Sequence, residues 1–332
     1  MENIHYKGLV VSEQAGEFIQ MIQSLSTDDL PAGDVLVRVH YSSLNYKDAL
    51  SASGNKGVTK KYPHTPGIDA AGIIVQSEND QFKSGDKVIV TGFDLGMNTS
   101  GGFGQYIRVP AQWVVKLPEG LTLKESMILG TAGFTAGISV LRLSELIKPE
   151  DGKILVSGAT GGVGSVSLAL LVKLGYQTVA ITGKDSEYDF LRSLGSSEII
   201  SRDAFLLPDK RPLLPAQYAG AIDTVGGPVL ENILKVLKPS GAVTTCGNVS
   251  SIQLNTTMFP FILRGNTLIG ISAQNYPSMK RTSLWNRLAT DWKPDNLHDL
   301  NSEITLNELK KHIALILDGK IKGRTIVNMK DE

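Results

Sequence analysis

The sequence has few of the residues that define several classes of protein. Its 332 residues include one cysteine, Cys246, which excludes an intramolecular disulfide and any zinc site built on several thiolates. Lysine plus arginine balance aspartate plus glutamate at 33 each, and no run of like charges occurs. This balance argues against a nucleic-acid partner. We expect small, locally recognised ligands instead.

Targeting signals and long apolar runs are also scarce. The start, MENIHYKG, has no basic segment followed by an apolar one. No apolar run approaches the ~18 residues needed to cross a bilayer. The 5 histidines show no paired spacing that would indicate a metal site. We predict a cytoplasmic protein with no membrane partner and no bound metal.

Two sequence patterns divide the chain. Up to about residue 120, alternating β-branched residues and turn residues predict antiparallel strands, as in DVLVRVHYSS and SGDKVIVTG. From Lys153 onward, short apolar strands alternate with helices, which indicates a doubly wound parallel sheet. The last strand, GRTIV, is more like the first region. We predict an α/β protein with an antiparallel barrel-like domain at 1–127 and 273–332 and a parallel-sheet domain at 128–272.

The stretch VSGATGGVGS lies between a predicted strand and a predicted helix. It lacks a literal G-x-G-x-x-G pattern, because Ala159 stands at the first glycine position. Glycines lack a Cβ and let the backbone approach a pyrophosphate, and a helix N-terminus favours an anion. A second strand ends about twenty residues downstream, as in dinucleotide sites. We predict a dinucleotide site here, with an ordinary strand-to-helix turn as the alternative; its residues are Gly161, Gly162, Val163, Gly164 and Ser165.

The end of the second strand of this domain indicates which dinucleotide binds. An NAD site usually has Asp or Glu there, whereas this chain has Thr182, Gly183 and Lys184. A cation beside two small residues favours a 2′-phosphate, and Arg202 is a second candidate partner for it. The alternative is a solvated Lys184, with Asp185 contacting the ribose. The predicted cofactor is NADP(H).

Motifs along the whole chain resemble the medium-chain dehydrogenase/reductase superfamily. SSLNYKDAL, PHTPGIDAAG, KSGDKVIVTG, GGFGQYIRVP, GTAGFTA and GATGGVGS occur in the expected order. MILGTAGFTA, FILR and GRTIV further resemble the zinc-independent quinone oxidoreductase branch of the YhdH/YhfP type, which includes acryloyl-CoA reductases. The resemblance implies a GroES-like barrel joined to a Rossmann domain, NADPH as cofactor, and a homodimer.

The resemblance also bears on the reaction. Zinc members hold a catalytic metal on Cys, His and Cys, and the matching positions here are Asn45, Ile68 and Ala132. Without a Lewis acid, alcohol oxidation loses its means of forming an alkoxide, whereas hydride addition to an activated acceptor stays feasible. The implied function is NADPH-dependent reduction of a quinone. Two alternatives stay open: reduction of an activated alkene such as acryloyl-CoA or another enoyl thioester, and NADPH binding without turnover.

Asn45 and Tyr46 match, by resemblance, the floor of the cleft where the metal would lie. The resemblance implies that the Asn45 amide or the Tyr46 hydroxyl polarises the acceptor carbonyl or holds the nicotinamide and its ribose. The alternative is that Asn45 caps a turn and Tyr46 packs. Lys47 and Asp48 are interpreted as a local ion pair, and Asp69 as a structural residue.

Further cofactor contacts are predicted at helix and strand ends. Thr131 opens a helix and either contacts the nicotinamide side or only caps that helix. Arg324, in the terminal strand, either contacts a cofactor phosphate or forms a surface ion pair. Loops at the carboxyl ends of parallel strands bind ligands in this architecture. Those loops add four predicted cofactor contacts: Gly247, Asn248, Ile271 and Ser272.

Overall fold

The strands can be given in chain order for the residues that the structure, a computed structural model, describes. These are residues 3–206 and 209–330, so the predicted outer domain bounds, residues 1 and 332, lie outside them. The strands are β1 (His5–Gln14), β2 (Glu17–Ser26), β3 (Val35–Leu44), β4 (Asp69–Ser77), β5 (Lys87–Thr91), β6 (Tyr106–Val109), β7 (Val114–Lys116), β8 (Ile154–Ser157), β9 (Thr178–Thr182), β10 (Glu198–Ser201), β11 (Tyr218–Asp223), β12 (Leu237–Thr245), β13 (Thr267–Gly270), β14 (Asn301–Thr305) and β15 (Arg324–Asn328).

The helices lie between these strands. They are α1 (Tyr46–Ala52), α2 (Leu123–Ser144), α3 (Gly162–Lys173), α4 (Tyr188–Ser193), α5 (Arg202–Phe205), α6 (Gly227–Val236), α7 (Phe259–Ile262), α8 (Ser278–Ala289) and α9 (Leu309–Leu317). Short 3₁₀ turns occupy Thr27–Asp29, Ala111–Trp113, Pro149–Asp151, Asp185–Glu187, Leu297–Leu300 and Leu306–Glu308.

The chain divides into two compact units. The first unit consists of the residues up to Thr131, Gln274–Thr290, and the residues from His298 onward. The second unit consists of Ala132–Ala273 and Asp291–Leu297. The sequence assigned residues 128–131 to the parallel-sheet domain, whereas they group here with the first unit. It assigned residues 273 and 291–297 to the barrel domain, whereas they group here with the second unit.

The first unit is built on a mostly antiparallel sheet. Among the described residues it has 7 strands in the order β14-β15-β3-β4-β5-β7, with β6 also paired to β3. Alternation in β3 buries Val35, Val37 and Val39, which pack in a core with Leu95 and Phe103. The terminal strand β15 pairs antiparallel with β3, so the chain returns to this unit as predicted. Strands β1 and β2 form a separate hairpin.

The second unit contains the predicted doubly wound sheet. Its order is β10-β9-β8-β11-β12-β13, and each neighbouring pair is parallel. All of β8 is buried, as a run of apolar residues in a parallel sheet should be. The chain runs outward from β8 to β10 and returns at β11, so the strand order reverses between β8 and β11. Ligands bind at this kind of reversal, beyond the carboxyl ends of the strands.

Helix α2 corrects one expectation from the sequence. An 18-residue window of this helix has a mean hydropathy of 1.3, and by length and composition the helix is long and apolar enough to cross a membrane. However, 83% of that window is buried inside the protein. Gly130 also interrupts the helix, with φ 53° and ψ −158°. Helix α2 is therefore a buried core helix.

Candidate active site

The strand-to-helix turn after β8, residues 158–165, is packed through its backbone; we call it the glycine turn. Gly158 has φ +58°, a left-handed conformation that favours glycine. A Cβ on Gly164 would lie 2.8 Å from the carbonyl carbon of Gly158 and 2.9 Å from Cα of Ala159. Only a glycine therefore lets α3 start this close to the strand.

Exposure separates the predicted residues of the glycine turn into two groups. Gly161, Gly162 and Val163 are partly exposed at the start of α3, where helix N–H groups have no partner within the helix. Gly164 and Ser165 are buried, and the Ser165 hydroxyl bonds to the Gly162 carbonyl at 3.5 Å. Their burial does not fit the direct cofactor contact predicted for them, and packing is the role this geometry supports.

The end of β9 brings two cations to one glycine. Cζ of Arg202 lies 3.0 Å from the position a Cβ on Gly183 would take, so the absence of a side chain makes room for the guanidinium. Lys184 follows directly, and burial lowers the pKa of its ammonium. Thr182 is buried, and its hydroxyl accepts the Lys184 N–H at 3.1 Å, so it shapes the strand end from inside. Asp185 hydrogen-bonds to the side chain of Tyr188.

The ends of β12 and β13 form a pocket in the second unit. Four predicted cofactor contacts lie together in its wall: Gly247, Asn248, Ile271 and Ser272. Cys246 lines it too, but burial raises the pKa of its thiol to about 12, so the thiolate that would act as a nucleophile is scarce at neutral pH. Asp223, at the end of β11, accepts hydrogen bonds from Ser157 and Thr245 at 2.7 and 2.9 Å and so holds neighbouring strand ends together.

The first unit holds a buried polar cluster, which consists of Ser43, Asn45, Asp48, Asp69, Thr131 and Arg324. Its centre is Asp69, which is fully buried at the start of β4. The Asp69 carboxylate accepts hydrogen bonds from Ser43 Oγ at 2.5 Å, Asn45 Nδ2 at 2.8 Å and the Thr131 backbone N–H at 2.9 Å. The Thr131 hydroxyl donates to its other oxygen at 2.5 Å. A buried carboxylate needs such donors, because its desolvation is costly.

Arg324 lies inside this cluster. It is 2% exposed, and its Nε donates to the Ile128 carbonyl at 2.9 Å. Its Nη1 donates to Asn45 Oδ1 at 3.1 Å, and its Nη2 donates to Ser43 Oγ at 2.8 Å. The nearest approach to Asp69 is 3.8 Å. This burial fits neither a phosphate contact nor a surface ion pair, the two roles predicted from the sequence.

Gly130 makes the cluster possible. At the break in α2 the Thr131 N–H donates to Asp69, so Asp69 acts as the cap of the following helical segment. Thr131 is therefore used as a helix start, with its hydroxyl donor directed at Asp69. A Cβ on residue 130 would lie 2.5 to 2.8 Å from three atoms of the cluster, namely Asp69 Oδ2, Ser43 Oγ and Arg324 Nη2.

Helix α1 begins at the cluster. Asn45 precedes it, and the Asn45 backbone N–H donates to Asp48 Oδ2 at 2.8 Å. The other Asp48 oxygen accepts the Ile68 N–H at 2.8 Å. Burial, and then the neighbouring Asp69, raise the pKa of Asp48 to about 7. The Lys47 ammonium donates to Gln274 at 2.9 Å, so the hydrogen bonds of both residues go to partners other than the expected ion pair.

The two predicted catalytic residues differ in accessibility. Asn45 is 8% exposed, its amide nitrogen faces acceptors on Asp69, Asp48 and Ser43, and its amide oxygen accepts from Arg324. Tyr46, the next residue, is 40% exposed. The sequence therefore placed both residues at a polar site but could not tell which side chain is available to a ligand.

Sequence reasoning did not identify the cluster as a unit. Ser43 and Gly130 were noted only as members of the motifs SSLNYKDAL and GTAGFTA, and Asp69 was interpreted only as structural. A usable signal existed in PGIDAAG, where a carboxylate stands among small and apolar residues that enter a buried strand. Its partners lie far away in the sequence and could not be named from that motif.

Two family models cover most of the chain. The model for the alcohol dehydrogenase GroES-like domain matches residues 31–119. The model for zinc-binding dehydrogenases matches residues 162–290. The chain is a medium-chain dehydrogenase/reductase. It is thus a member of an oxidoreductase superfamily, as its motifs indicated.

Relatives match this dehydrogenase/reductase over almost its full length. Acrylyl-CoA reductase AcuI from Ruegeria pomeroyi is 41% identical over 98% of this chain and 99% of its own. YhfP from Bacillus subtilis, named for quinone oxidoreductase activity, is 40% identical over 98% of this chain and 99% of its own. These relatives confirm the expected branch of the superfamily.

Two crystal structures of relatives share the fold. The YhdH oxidoreductase from Salmonella enterica, in complex with NADP, is 42% identical, with a TM-score of 0.95 over 98% of this chain and 100% of its own. YhfP from Bacillus subtilis, with NAD bound, is 40% identical, with a TM-score of 0.95 over 98% of this chain and 99% of its own. The predicted combination of a GroES-like and a Rossmann domain is confirmed.

The second family model is named for zinc-binding dehydrogenases, but the side chains of this dehydrogenase/reductase do not fit a catalytic zinc. The positions matched to the metal ligands carry the amide of Asn45, the alkyl chain of Ile68 and the methyl group of Ala132. Zinc prefers thiolate, imidazole and carboxylate ligands. Within residues 3–206 and 209–330, no group of three or more His, Cys, Asp or Glu side chains is arranged to hold a metal.

Proposed function

We propose that this protein is an NADPH-dependent, zinc-independent reductase that transfers a hydride to an acceptor whose double bond is conjugated to a carbonyl. The observation that carries the proposal is the pair of cations, Lys184 and Arg202, beside Gly183 at the end of β9. Two cations there suit a 2′-phosphate, whereas a free ribose is normally bound by an acidic residue. The YhdH relative crystallised with NADP supports this cofactor, and the YhfP relative with NAD makes the preference worth measuring.

The cofactor would be held mainly by the second unit. Backbone N–H groups at Gly162 and Val163 suit the pyrophosphate. Gly161, whose own N–H donates to the Gly158 carbonyl at 2.9 Å, lets the backbone approach it through the absence of a Cβ. Lys184 and Arg202 suit the 2′-phosphate. When bound, the nicotinamide supplies the hydride. The remaining proposed contacts are Gly247, Asn248, Ile271 and Ser272 in the pocket wall, with Tyr46 and Thr131 in the first unit.

Tyr46 is our candidate for the group that polarises the acceptor. Hydride addition to a conjugated acceptor places negative charge on the carbonyl oxygen, and a donor aimed at that oxygen stabilises the transition state. Tyr46 is 40% exposed, whereas the Asn45 amide is already bonded within the polar cluster. We therefore assign the donor role to Tyr46 and a supporting role to Asn45.

Two acceptor classes share this chemistry. The sequence favours a quinone, and the likeness to AcuI supports an acryloyl thioester to a similar degree. Both are conjugated carbonyls, so one site can reduce either. Binding of NADPH without turnover is the competing function.

The first experiment follows the loss of NADPH absorbance with benzoquinone in one sample and acryloyl-CoA in another, with NADH and enzyme-free controls. We expect at least one acceptor to be reduced, with a preference for NADPH, and the more efficient acceptor identifies the class. Tyr46→Phe should lower kcat about a hundredfold. Because it keeps the aromatic ring, the Kd for NADPH should change by less than about threefold. Tight NADPH binding with no oxidation by either acceptor would favour the binding-only function.

We also propose a homodimer that pairs through the edge of the parallel sheet. Strand β13 lies at that edge, and residues 249–263, just before it, expose several large apolar side chains. These include Ile252, 85% exposed, and Ile262, 65% exposed. Exposed apolar residues gathered in one segment are typical of interfaces. The cytoplasmic location stays a prediction.

Light scattering on the purified protein tests the dimer. Ile252→Glu combined with Ile262→Glu should convert a dimer to a monomer, because burying two carboxylates in an apolar interface is costly. Met279→Glu, on α8 of the first unit and 90% exposed, should leave the mass unchanged. A wild-type monomer at micromolar concentration would disprove the pairing.

A further inference from the structure

The guanidinium of Arg324 links three parts of the first unit. It donates to Ser43 on β3, to Asn45 just before α1, and to the Ile128 carbonyl on α2. These acceptors are all neutral. The approach to the Asp69 carboxylate, 3.8 Å, is longer than a hydrogen bond. Arg324 therefore acts through the fixed directions of the N–H donors on its planar guanidinium, which we call the fork, as well as through its charge.

The acceptor that matters most is Asn45. A side-chain amide has a donor end and an acceptor end, and it can turn over unless both ends are specified. Here Arg324 donates to Oδ1 at 3.1 Å, and Nδ2 donates to Asp69 at 2.8 Å. Arg324 and Asp69 together permit a single orientation of this amide.

Asn45 in turn determines where α1 begins. Its backbone N–H is held by Asp48, and Tyr46 is the first residue of the helix. The Asn45 amide also donates to Asp48 Oδ2 at 3.3 Å, the same oxygen that accepts the Asn45 backbone N–H at the start of α1. The orientation of the amide is thus coupled to the position of the Tyr46 side chain.

We propose that Arg324 is a positioning residue, which fixes the Asn45 amide against Asp69 and thereby places Tyr46 for polarisation of the acceptor. This role rests on the proposed reductase function, since Tyr46 is the donor assigned there. The competing explanation is that Arg324 only balances the buried charge of Asp69. Charge balance needs a cation nearby, whereas positioning needs the fork.

Arg324→Lys separates the two explanations, because it keeps the charge and removes the fork. Positioning predicts a kcat lower by about tenfold to hundredfold with a Kd for NADPH within about threefold of wild type. It also predicts at least about tenfold faster hydrogen exchange at the Asn45 side-chain amide, followed by NMR on protein labelled with ¹⁵N-asparagine. Wild-type values of kcat and of Asn45 exchange in Arg324→Lys would overturn the proposal.

A second variant tests the proposal if the buried lysine of Arg324→Lys prevents folding. Arg324→Gln combined with Asp69→Asn removes both charges and leaves neutral hydrogen-bonding groups, so it should fold better than the loss of either charge alone. Positioning predicts that its kcat stays at least about tenfold below wild type. Recovery of wild-type kcat would show that Arg324 acts only through charge.

Arg281 provides the matched control. It is also a buried arginine of the first unit, but it donates to Thr91 and to the Gln274 carbonyl. Arg281→Lys should leave the exchange of the Asn45 amide unchanged. If wild-type protein reduces neither acceptor, the proposed function fails on its own, and the exchange of the Asn45 amide still decides whether Arg324 orients it.

Discussion

The glycine turn of the second unit comes from consecutive residues, 158–165, whereas the polar cluster of the first unit is assembled from distant segments. These segments are β3, α1, β4, α2 and β15. The hydrogen bond between Arg324 and Ser43 joins residues that are 281 positions apart. The turn works through backbone groups and the space that glycines leave. The cluster works through buried charges that must satisfy one another. A site made of backbone tolerates most distant changes, whereas a site made of coupled side chains fails when any partner is removed.

The comparison predicts different consequences for substitutions in the two regions. Changes at the end of β9 should alter cofactor binding and leave the rest of the protein intact. Changes in the polar cluster, except at the proposed cofactor contact Thr131, should alter turnover and stability and leave cofactor binding intact.

The largest effect is expected for Gly130→Ala. Its Cβ would lie 2.5 to 2.8 Å from Asp69, Ser43 and Arg324, and the residue has a φ of +53°, which disfavours alanine. Disruption of a buried hydrogen-bond network should cost about 3 kcal/mol or more in the free energy of unfolding. Misplacement of the groups around Tyr46 should lower kcat about a hundredfold, measured beside the Kd for NADPH.

A matched glycine isolates the effect of the cluster. Gly85 also has a positive φ, +92°, but nothing lies within 4 Å of the position its Cβ would take. Gly85→Ala should lose stability from backbone strain alone, about 1 kcal/mol, with kcat unchanged. Equal losses of kcat in the two variants would contradict the role given to the cluster.

A smaller effect is expected at the cofactor end. Lys184→Glu places a negative charge beside the proposed 2′-phosphate, so the ratio of kcat/KM with NADPH to kcat/KM with NADH should fall about 10- to 100-fold. Arg202→Ala should change the ratio in the same direction. Arg192→Glu, an exposed arginine on α4 paired with Asp189, is the control. An unchanged ratio in Lys184→Glu would refute the NADPH preference.

The smallest effect is the pH dependence of stability contributed by Asp48. Its pKa in the folded protein is raised to about 7 from the usual 3.8 of an aspartate, so the folded state binds the proton more tightly than the unfolded state. This contribution to the free energy of unfolding should therefore fall as pH rises, by about 1.4 kcal/mol between pH 6 and pH 8.

Urea unfolding at several pH values measures this contribution. In Asp48→Asn the free energy of unfolding should no longer fall between pH 6 and pH 8 on account of this residue, because the group no longer titrates. This holds whatever the effect of the substitution on stability at a single pH. Asp189→Asn, at a highly exposed carboxylate, should keep the wild-type slope. Parallel curves for wild type and Asp48→Asn would show that Asp48 is ionised throughout this range.

Much of the fold followed from the sequence because its signals are local. Alternation in β3, the apolar run of β8 and the glycines after it each occupy a few consecutive residues. The grouping of residues 291–297 with the second unit could not be predicted in this way, since no local pattern distinguishes the two units there.

The candidate site was only partly predictable, for the same reason. Arg324 looked like a phosphate contact or a surface residue, because an arginine in a terminal strand is usually exposed. Pairing of β15 with β3, with Thr325 opposite Leu44, instead carries its side chain to Ser43. Gly130, the first residue of GTAGFTA, was part of a family motif in the sequence. Only the structure shows that it lies against Asp69, Ser43 and Arg324.

The sequence by itself determined the two kinds of sheet, the glycine turn and the cationic end of β9, because each depends on residues adjacent in the chain. The tertiary structure decided which polar side chains are available to a ligand. It buried Asn45, Asp69 and Arg324 together and left Tyr46 exposed. Burial, charge pairing and hydrogen-bond satisfaction depend on distant segments, and no local sequence pattern specifies them.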